Sequence, residues 1–448
     1  MTWKTELKQM LGSENVLLDD TAREKFSKDY YWYSPILERK LKDKIADCIA
    51  LPSAEEELIS LISFAVKKKV PITVRGAGTG NYGQAVPIEG GIVIDMTKFD
   101  KVLQIESNTV AVQAGIRIGN LERFLLQYRK ELRIMPSTYM KSTVGGFVAG
   151  GSGGIGSITW GNLWDGNVLG AAVYTIEEHP RKLNISGDNL QHYIHNYGTL
   201  GVMTELQLPI EPKTDWMQVM VFHESLDEAL RFSHIFAEKN SMKKRLLSVC
   251  EESLTKHFIP LKPYILPNKT LTMIEVDEKI KDDFMKIVKE YKGIVGHIIP
   301  AEQYRKGIRL SDFTWNHATL WAHKYEKNIS YLQVEFDIDH LLDQVHLLKG
   351  QFGDEVQLHF EFIKRSGKII PAALPVVRYT SYERLYKIIQ FILDIGAKVH
   401  DPHTYLLGFG GWSLRMDKII KLKRENDPYH LLNPGKITEI YSYPQLQS

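Results

Sequence analysis

Cysteine is nearly absent: Cys48 and Cys250 are the two in 448 residues. That excludes a disulfide scaffold and a cluster of thiolate metal ligands, and it fits a reducing compartment. A surplus of either charge is also missing. Lys and Arg number 56 against 54 Asp and Glu, a formal net charge of +2, so the basic footprint of a nucleic-acid binder is lacking. The opening Met-Thr-Trp-Lys-Thr-Glu-Leu-Lys carries charge where a secretory signal needs an apolar run. Residues 142–164 contain no charged side chain over a length that could cross a bilayer, but eight of them are glycine. Glycine weakens helices and leaves the backbone poorly shielded from lipid, so no transmembrane span is expected. The window reads as backbone held close to something.

What is present is an ordinary globular composition, 44% hydrophobic and 25% charged. The length suits two or three domains of roughly 100–200 residues each. The first half alternates strands and helices. A helix is expected over 53–69, N-capped by Ser53, with glutamates in its first turn, lysines in its last and a Leu58, Leu61, Ile62, Ala65 stripe. Strands are expected at 71–75, 91–96, 168–176 and 202–210, a hairpin at 102–113 and a helix at 118–129. Near residue 212 longer charged helices begin, at 225–238 and 277–292, mixed with strand-like runs at 331–336 and 356–363. A domain boundary is placed there, with a compact turn-rich segment at 427–436.

Gly78-Thr-Gly80-Asn-Tyr-Gly83 matches G-x-G-x-x-G after a strand. The dinucleotide fingerprint also needs a helix to open at that loop. Pro87 and the Gly90-Gly91 pair forbid one. A second match, Gly151-Ser-Gly153-Gly-Ile-Gly156, has no strand before it and no clear helix after it. A nicotinamide-binding Rossmann site is therefore not expected. Serial glycines can be tight turns, or they can turn successive N–H groups inward on a phosphate with no Cβ in the way. Two such loops beside a long glycine window point to a diphosphate cofactor held by main chain, with Arg75 at the mouth.

The run Val74-Arg-Gly-Ala-Gly-Thr-Gly-Asn-Tyr-Gly83 resembles the pyrophosphate loop of FAD-linked oxidoreductases of the vanillyl-alcohol oxidase, PCMH-type family. Pro136-Ser-Thr and Ser142-Thr-Val-Gly-Gly146 resemble its second flavin loop. Trp160-Gly161, Asp165, Val168-Leu-Gly170 and Gly198–Glu205 resemble the segments that follow, and Asp427–Lys436 resembles its C-terminal return. The resemblance implies an α+β fold: a two-subdomain FAD-binding domain at 1–212 (core about 40–212), a cap with a central antiparallel sheet at 213–426, and a return at 427–448. It implies FAD bound by Arg75, Gly76, Ala77, Gly78, Thr79, Gly80, Asn81, Tyr82, Gly83, Pro136, Ser137, Ser142, Thr143, Gly145, Gly146, Val202, Thr204, Asn433 and Lys436. Covalent members of the family often carry His where Thr79 stands, or Cys in the second loop, where this chain has none. FAD is therefore expected to be non-covalent.

The implied activity is oxidation of a small hydroxy acid or related alcohol by hydride transfer to flavin N5, with electrons passed to a quinone or protein acceptor. A dehydrogenase is preferred to an oxidase, and the alternative is an FAD-binding accessory subunit without its own substrate site. A cytoplasmic chain is expected, free or peripheral to the membrane, with its oligomeric state left open. The family's Gly-His-Gly-Asp-Gly-Asn and Glu-His-Gly motifs are absent. In their place stand Gln357-Leu-His359-Phe-Glu361 and His400-Asp-Pro-His403-Thr-Tyr405. His403 or Tyr405 is the candidate base or substrate partner, since a base should titrate near the working pH. The same residues also read as a polar surface loop, or His359, Glu361, His400 and His403 as metal ligands; no metal is expected. Arg309 and Arg378 are candidate carboxylate clamps. His317 reads as structural, and Tyr30-Tyr-Trp-Tyr33 as core or interface packing.

Overall fold

A computed structural model describes residues 2–304, 306–412 and 414–438. The chain is α+β, with four sheets among the described residues. The first pairs Cys48–Ala50, Ile92–Asp95 and Ile72–Arg75 in parallel, with Val16–Leu17 antiparallel at one edge. Helix Glu55–Lys68 packs on it through Leu58, Leu61, Ile62 and Ala65, all buried. Its stripe has the 3.6-residue spacing of one helical face. Ser53 does not cap it: Ala54 holds that position, while the Glu57 carboxylate accepts from the Ser53 N–H and hydroxyl at 2.7 and 3.0 Å.

The second sheet is antiparallel. Val202–Pro212 runs through it between Thr109–Gln113 and Gly170–Tyr174, with Val102–Ile105 and Lys182–Ile185 outside and Lys130–Leu132 on its far end. Helix Val144–Gly150 lies in the uncharged window, ahead of the second glycine match. The sequence reading missed it, because glycine is a poor helix former. Packing supplies what propensity lacks. A Cβ on Gly145 would stand 2.8 Å from the Cβ of Ala114, so only glycine lets the helix approach the strand end.

An eight-stranded, wholly antiparallel sheet takes up most of the second half. Its order is Ile294–Ile299, Trp216–His223, Thr270–Asp277, Lys244–Cys250, His359–Arg365, Lys368–Ala373, Gln333–Glu335 and Lys398–His400. Side chains alternate across it as a strand requires. Val219 and Val221 meet the helices Leu226–Glu238, Lys281–Glu290 and Leu341–Phe352. Met220 and Phe222 face the other way, into the core shared with the second sheet. The strand expected at 331–336 is two, because the chain changes sheets at Leu332. Ile329–Tyr331 pairs with Val376–Arg378, and Gln333–Glu335 with Lys368–Ala373.

Two devices join the halves. Arg245 is buried between Glu275, at 2.7 Å, and Glu131, at 3.8 Å, and Trp216 donates to Glu131 at 3.0 Å. After helix Met416–Asn426 the chain returns to the first sheet. Ile72 donates to the Leu431 carbonyl, and Asn433 donates to the Ile72 carbonyl, both at 2.7 Å. Residues 439–448, the tail of the expected return, lie outside the described residues.

Candidate active site

A cavity of about 440 Å³ opens where the glycine loops meet the eight-stranded sheet. The loop after Ile72–Arg75 forms one wall. Among the described residues, no protein acceptor meets the N–H groups of residues 76–81. Residues 76–80 are half-buried and Asn81 is buried, so this row of amides is left free toward the cavity, as in an anion-binding nest. The second loop differs from expectation. The N–H groups of Val144, Gly145 and Gly146 are taken by the Ile116 carbonyl, the Ala114 carbonyl and the Thr143 hydroxyl. It contributes hydroxyls and closeness, not amides. Thr79, Ser142 and Thr138 form a hydroxyl chain with spacings of 2.8 and 2.7 Å.

Of the residues expected to bind the cofactor, Arg75 to Tyr82, Pro136, Ser137, Ser142, Thr143, Gly145 and Gly146 line this cavity. Arg75 lies beneath its loop, not at the mouth, donating to the carbonyls of Lys28 at 2.6 Å and Ala77 at 3.4 Å. Five expected positions do not line it. Val202 and Thr204 point into the core, leaving Gly201 and Met203 on the wall. The Gly83 carbonyl accepts from buried Lys436, which braces the loop from behind. Asn433 braces it too, accepting from the Val74 N–H at 3.3 Å and donating to the carbonyls of Tyr197 and Gly198.

The substrate-side expectations need more correction. Arg309 lines the cavity, but Arg378 is exposed on its strand and does not. His403 is buried away from the cavity, with Nδ1 2.7 Å from Ser34 Oγ, and burial pushes its pKa down to about 4. Tyr405 packs with Leu37, Leu41 and Val86. Neither lines the cavity. His359, Glu361, His400 and His403 are not gathered into one cluster. His359 pairs with Glu361 at 2.8 Å, and His400 with Glu335 at 2.7 Å.

His400 does line the cavity. Its Nε2 faces Glu335, which Arg365 also grips at 2.6 Å, and its ring stacks on Trp412 at 4.2 Å. Burial works to raise the Glu335 pKa, but the hydrogen bonds from His400 and Arg365 outweigh it and hold the carboxyl down to about 2. The sequence reading missed Asp29, His195, Glu335 and Arg365, which come from four separate segments. It also set aside Tyr30, Tyr33 and His317, which line the cavity. His195 left one trace in the sequence: it stands in His-Asn-Tyr-Gly, a turn whose first and third residues adopt φ of 54° and 56°.

Residues 46–178 match the model of a family described as an FAD binding domain. An uncharacterized FAD-linked oxidoreductase of Mycobacterium tuberculosis is 31% identical over 216 residues, 46% of this chain and 45% of that protein. The glycolate oxidase subunit GlcD of Escherichia coli is 28% identical over 181 residues, 39% of this chain and 36% of its own. A D-lactate dehydrogenase of Archaeoglobus fulgidus is 31% identical over 186 residues, 38% and 40% of the two chains. The matched region is less than half the length of each of these curated relatives. A solved structure of alkyldihydroxyacetonephosphate synthase superposes with a TM-score of 0.73 over 97% of this chain and 84% of its own, at 18% identity, which is likeness of fold.

The cavity fits FAD. A Cβ at Gly76, Gly78 or Gly80 would collide with Thr143, Arg75 or Gln84, so only glycine lets the loop pack this closely on its neighbours beside the cavity. The unpaired amides of 76–81 supply its donors. Among the described residues no helix is long and apolar enough to cross a membrane. Residues 46–178 thus carry a PCMH-type FAD-binding domain with FAD as its cofactor, and over that region the chain resembles FAD-linked oxidoreductases.

Proposed function

We propose that this chain oxidises a small hydroxy acid or related alcohol and passes the electrons to a quinone or protein acceptor, as a dehydrogenase. One observation carries the reading: the same cavity is lined by the unpaired amides of 76–81 and by polar side chains of the antiparallel sheet, His400 among them. When bound, FAD would supply the hydride acceptor for the substrate carbon. The hydroxyl proton must then leave the substrate oxygen. His400 replaces His403 and Tyr405 as its acceptor. Glu335 holds the Nε2 side of the ring, and Nδ1 has no partner among the described residues. This is the arrangement of a base oriented by a carboxylate.

The names of the glycolate oxidase subunit and the D-lactate dehydrogenase support hydroxyl oxidation. The accessory-subunit alternative loses its motive, because a cavity with its own base needs no second subunit to supply one. In this reading residues 1–212 with 427–448 form the flavin-binding part and 213–426 the cap. FAD is held non-covalently, since Thr79 and Ser142 are hydroxyls bonded to one another. Purified protein should be yellow, and a panel of alcohols and D- and L-hydroxy acids should bleach it anaerobically. A colourless protein that stays apo in excess FAD overturns the cofactor reading; a yellow protein bleached by none of the panel overturns the activity.

A further inference from the structure

We propose that the substrate is an uncharged alcohol and not a carboxylate-bearing acid, its hydroxyl groups received by the bare nitrogens of His195 and His400. The inference rests on the oxidoreductase reading above and narrows it.

The first ground is that the arginines are already taken. Among the described residues the cations lining the cavity are Arg75, Lys141, Arg309 and Arg365, besides histidine. Arg309 gives Nε and Nη2 to Asp312, at 3.1 and 3.2 Å, and Nη1 to the Tyr139 hydroxyl at 2.7 Å. Arg365 gives both ends of its fork to Glu335, at 2.8 and 2.6 Å. Arg75 lies under the glycine loop with both Nη groups on carbonyls, and only its Nε is unpartnered, so no bidentate fork is free. Lys141 is exposed, where a hydrated ammonium contributes little to an ion pair. Carboxylate recognition normally uses a free bidentate guanidinium. Here an entering carboxylate would have to strip Asp312 or Glu335 of its partner, leaving a half-buried or buried acid uncompensated.

The second ground is independent of charge. His195 is buried, and its Nδ1 lies 2.9 Å from the Gly151 carbonyl, so Nδ1 carries the proton. Its Nε2 is then a lone pair, and it has no partner among the described residues. His400 repeats the arrangement in mirror form. Nε2–H goes to Glu335, and Nδ1 is left bare. Both rings pack on Trp412, with centroid separations of 4.5 and 4.2 Å. Burial also pushes the His195 pKa down to about 4, which keeps that ring neutral. Two buried acceptors without donors call for a ligand that brings O–H groups. A hydroxyl can donate to these two nitrogens and also accept from the unpartnered Trp315 Nε1 on the same wall, whereas a carboxylate brings only lone pairs. Val334, Ile363 and Leu374 complete the wall around an apolar body.

The test uses holoenzyme and matched pairs: 1,2-propanediol against D- and L-lactate, and benzyl alcohol against D- and L-mandelate. Binding is read by calorimetry and reduction by anaerobic bleaching. The alcohols should bind and bleach roughly tenfold better than their acids, the margin one buried hydrogen bond provides. Acids that bind and bleach better overturn this inference and leave the oxidoreductase reading standing. Alcohols that bind without bleaching sustain it and overturn that reading. Failure of every compound to bind or bleach overturns both. Asp312→Asn frees the Arg309 fork and should raise acid affinity about tenfold; no gain overturns the claim that Asp312 withholds it. His195→Phe should lower alcohol affinity about tenfold with FAD content retained; unchanged affinity overturns the role of His195.

Discussion

Thr79 Oγ1 lies 2.8 Å from Ser142 Oγ, so the first flavin loop is tied to the second through a pair of alcohols. Neither oxygen is the imidazole or thiol that covalent flavin attachment uses at these places. Acid precipitation should leave all the yellow colour in the supernatant. Colour in the washed pellet would contradict non-covalent binding.

Gly76 should tolerate nothing larger. A Cβ there meets the Thr143 hydroxyl, which also caps the helix Val144–Gly150. Gly76→Ala should cut FAD content more than about tenfold while costing the apo fold only ~1–3 kcal/mol. Gly350→Ala is the control. That glycine sits inside helix Leu341–Phe352 with nothing within 4 Å of an added Cβ, and the change should stabilise by about 0.5–1 kcal/mol. Flavin absorbance per protein and thermal melting check both.

His400→Ala should lower turnover roughly 10²–10⁴-fold, the usual contribution of a general base. Glu335→Gln should cost less, because the amide still accepts from Nε2 but no longer stabilises the protonated ring. The FAD content of both should stay close to the unmodified level. A turnover number unchanged in His400→Ala would remove His400 from the chemistry.

Acid should destabilise the fold through histidines that are buried neutral. Burial lowers His195 and His403 to about 4 from an ordinary 6.5. A depressed folded-state pKa means the unfolded chain takes up the proton first. The stabilisation is thus whole above pH 6.5 and is lost as pH falls toward 4. Melting temperature should drop across that window, and His403→Gln should flatten the drop. An unchanged slope in the variant would show that His403 is not among the groups responsible.

The flavin half was legible because its chemistry is written in closely spaced glycines. Loop 76–81 needs bare backbone at the alternate positions 76, 78 and 80, and no other residue type supplies it. The braces were half legible: Asn433 and Lys436 stood out in the C-terminal segment, but their hold on Val74 and Gly83 depends on how the chain returns. The opposite end was not legible. His400, Glu335, Arg365, Trp412 and His195 meet only because antiparallel register sets Gln333 against His400 and Glu335 against Lys398. A dense polar run such as His400–Tyr405 says where titratable groups are. It does not say that His400 faces the cavity while His403, three residues on, is buried beside Ser34.

The return of residues 427–438 has a consequence for the order of events in synthesis. Ile72 exchanges hydrogen bonds with Leu431 and Asn433, and Lys436 grips the carbonyl of Gly83, across more than 350 positions of chain. A nascent polypeptide emerging from the ribosome presents its glycine loop long before those braces exist. The loop is therefore made well before the segment that braces it, and it is tied down from behind only once residues 427–438 have folded back onto the first sheet.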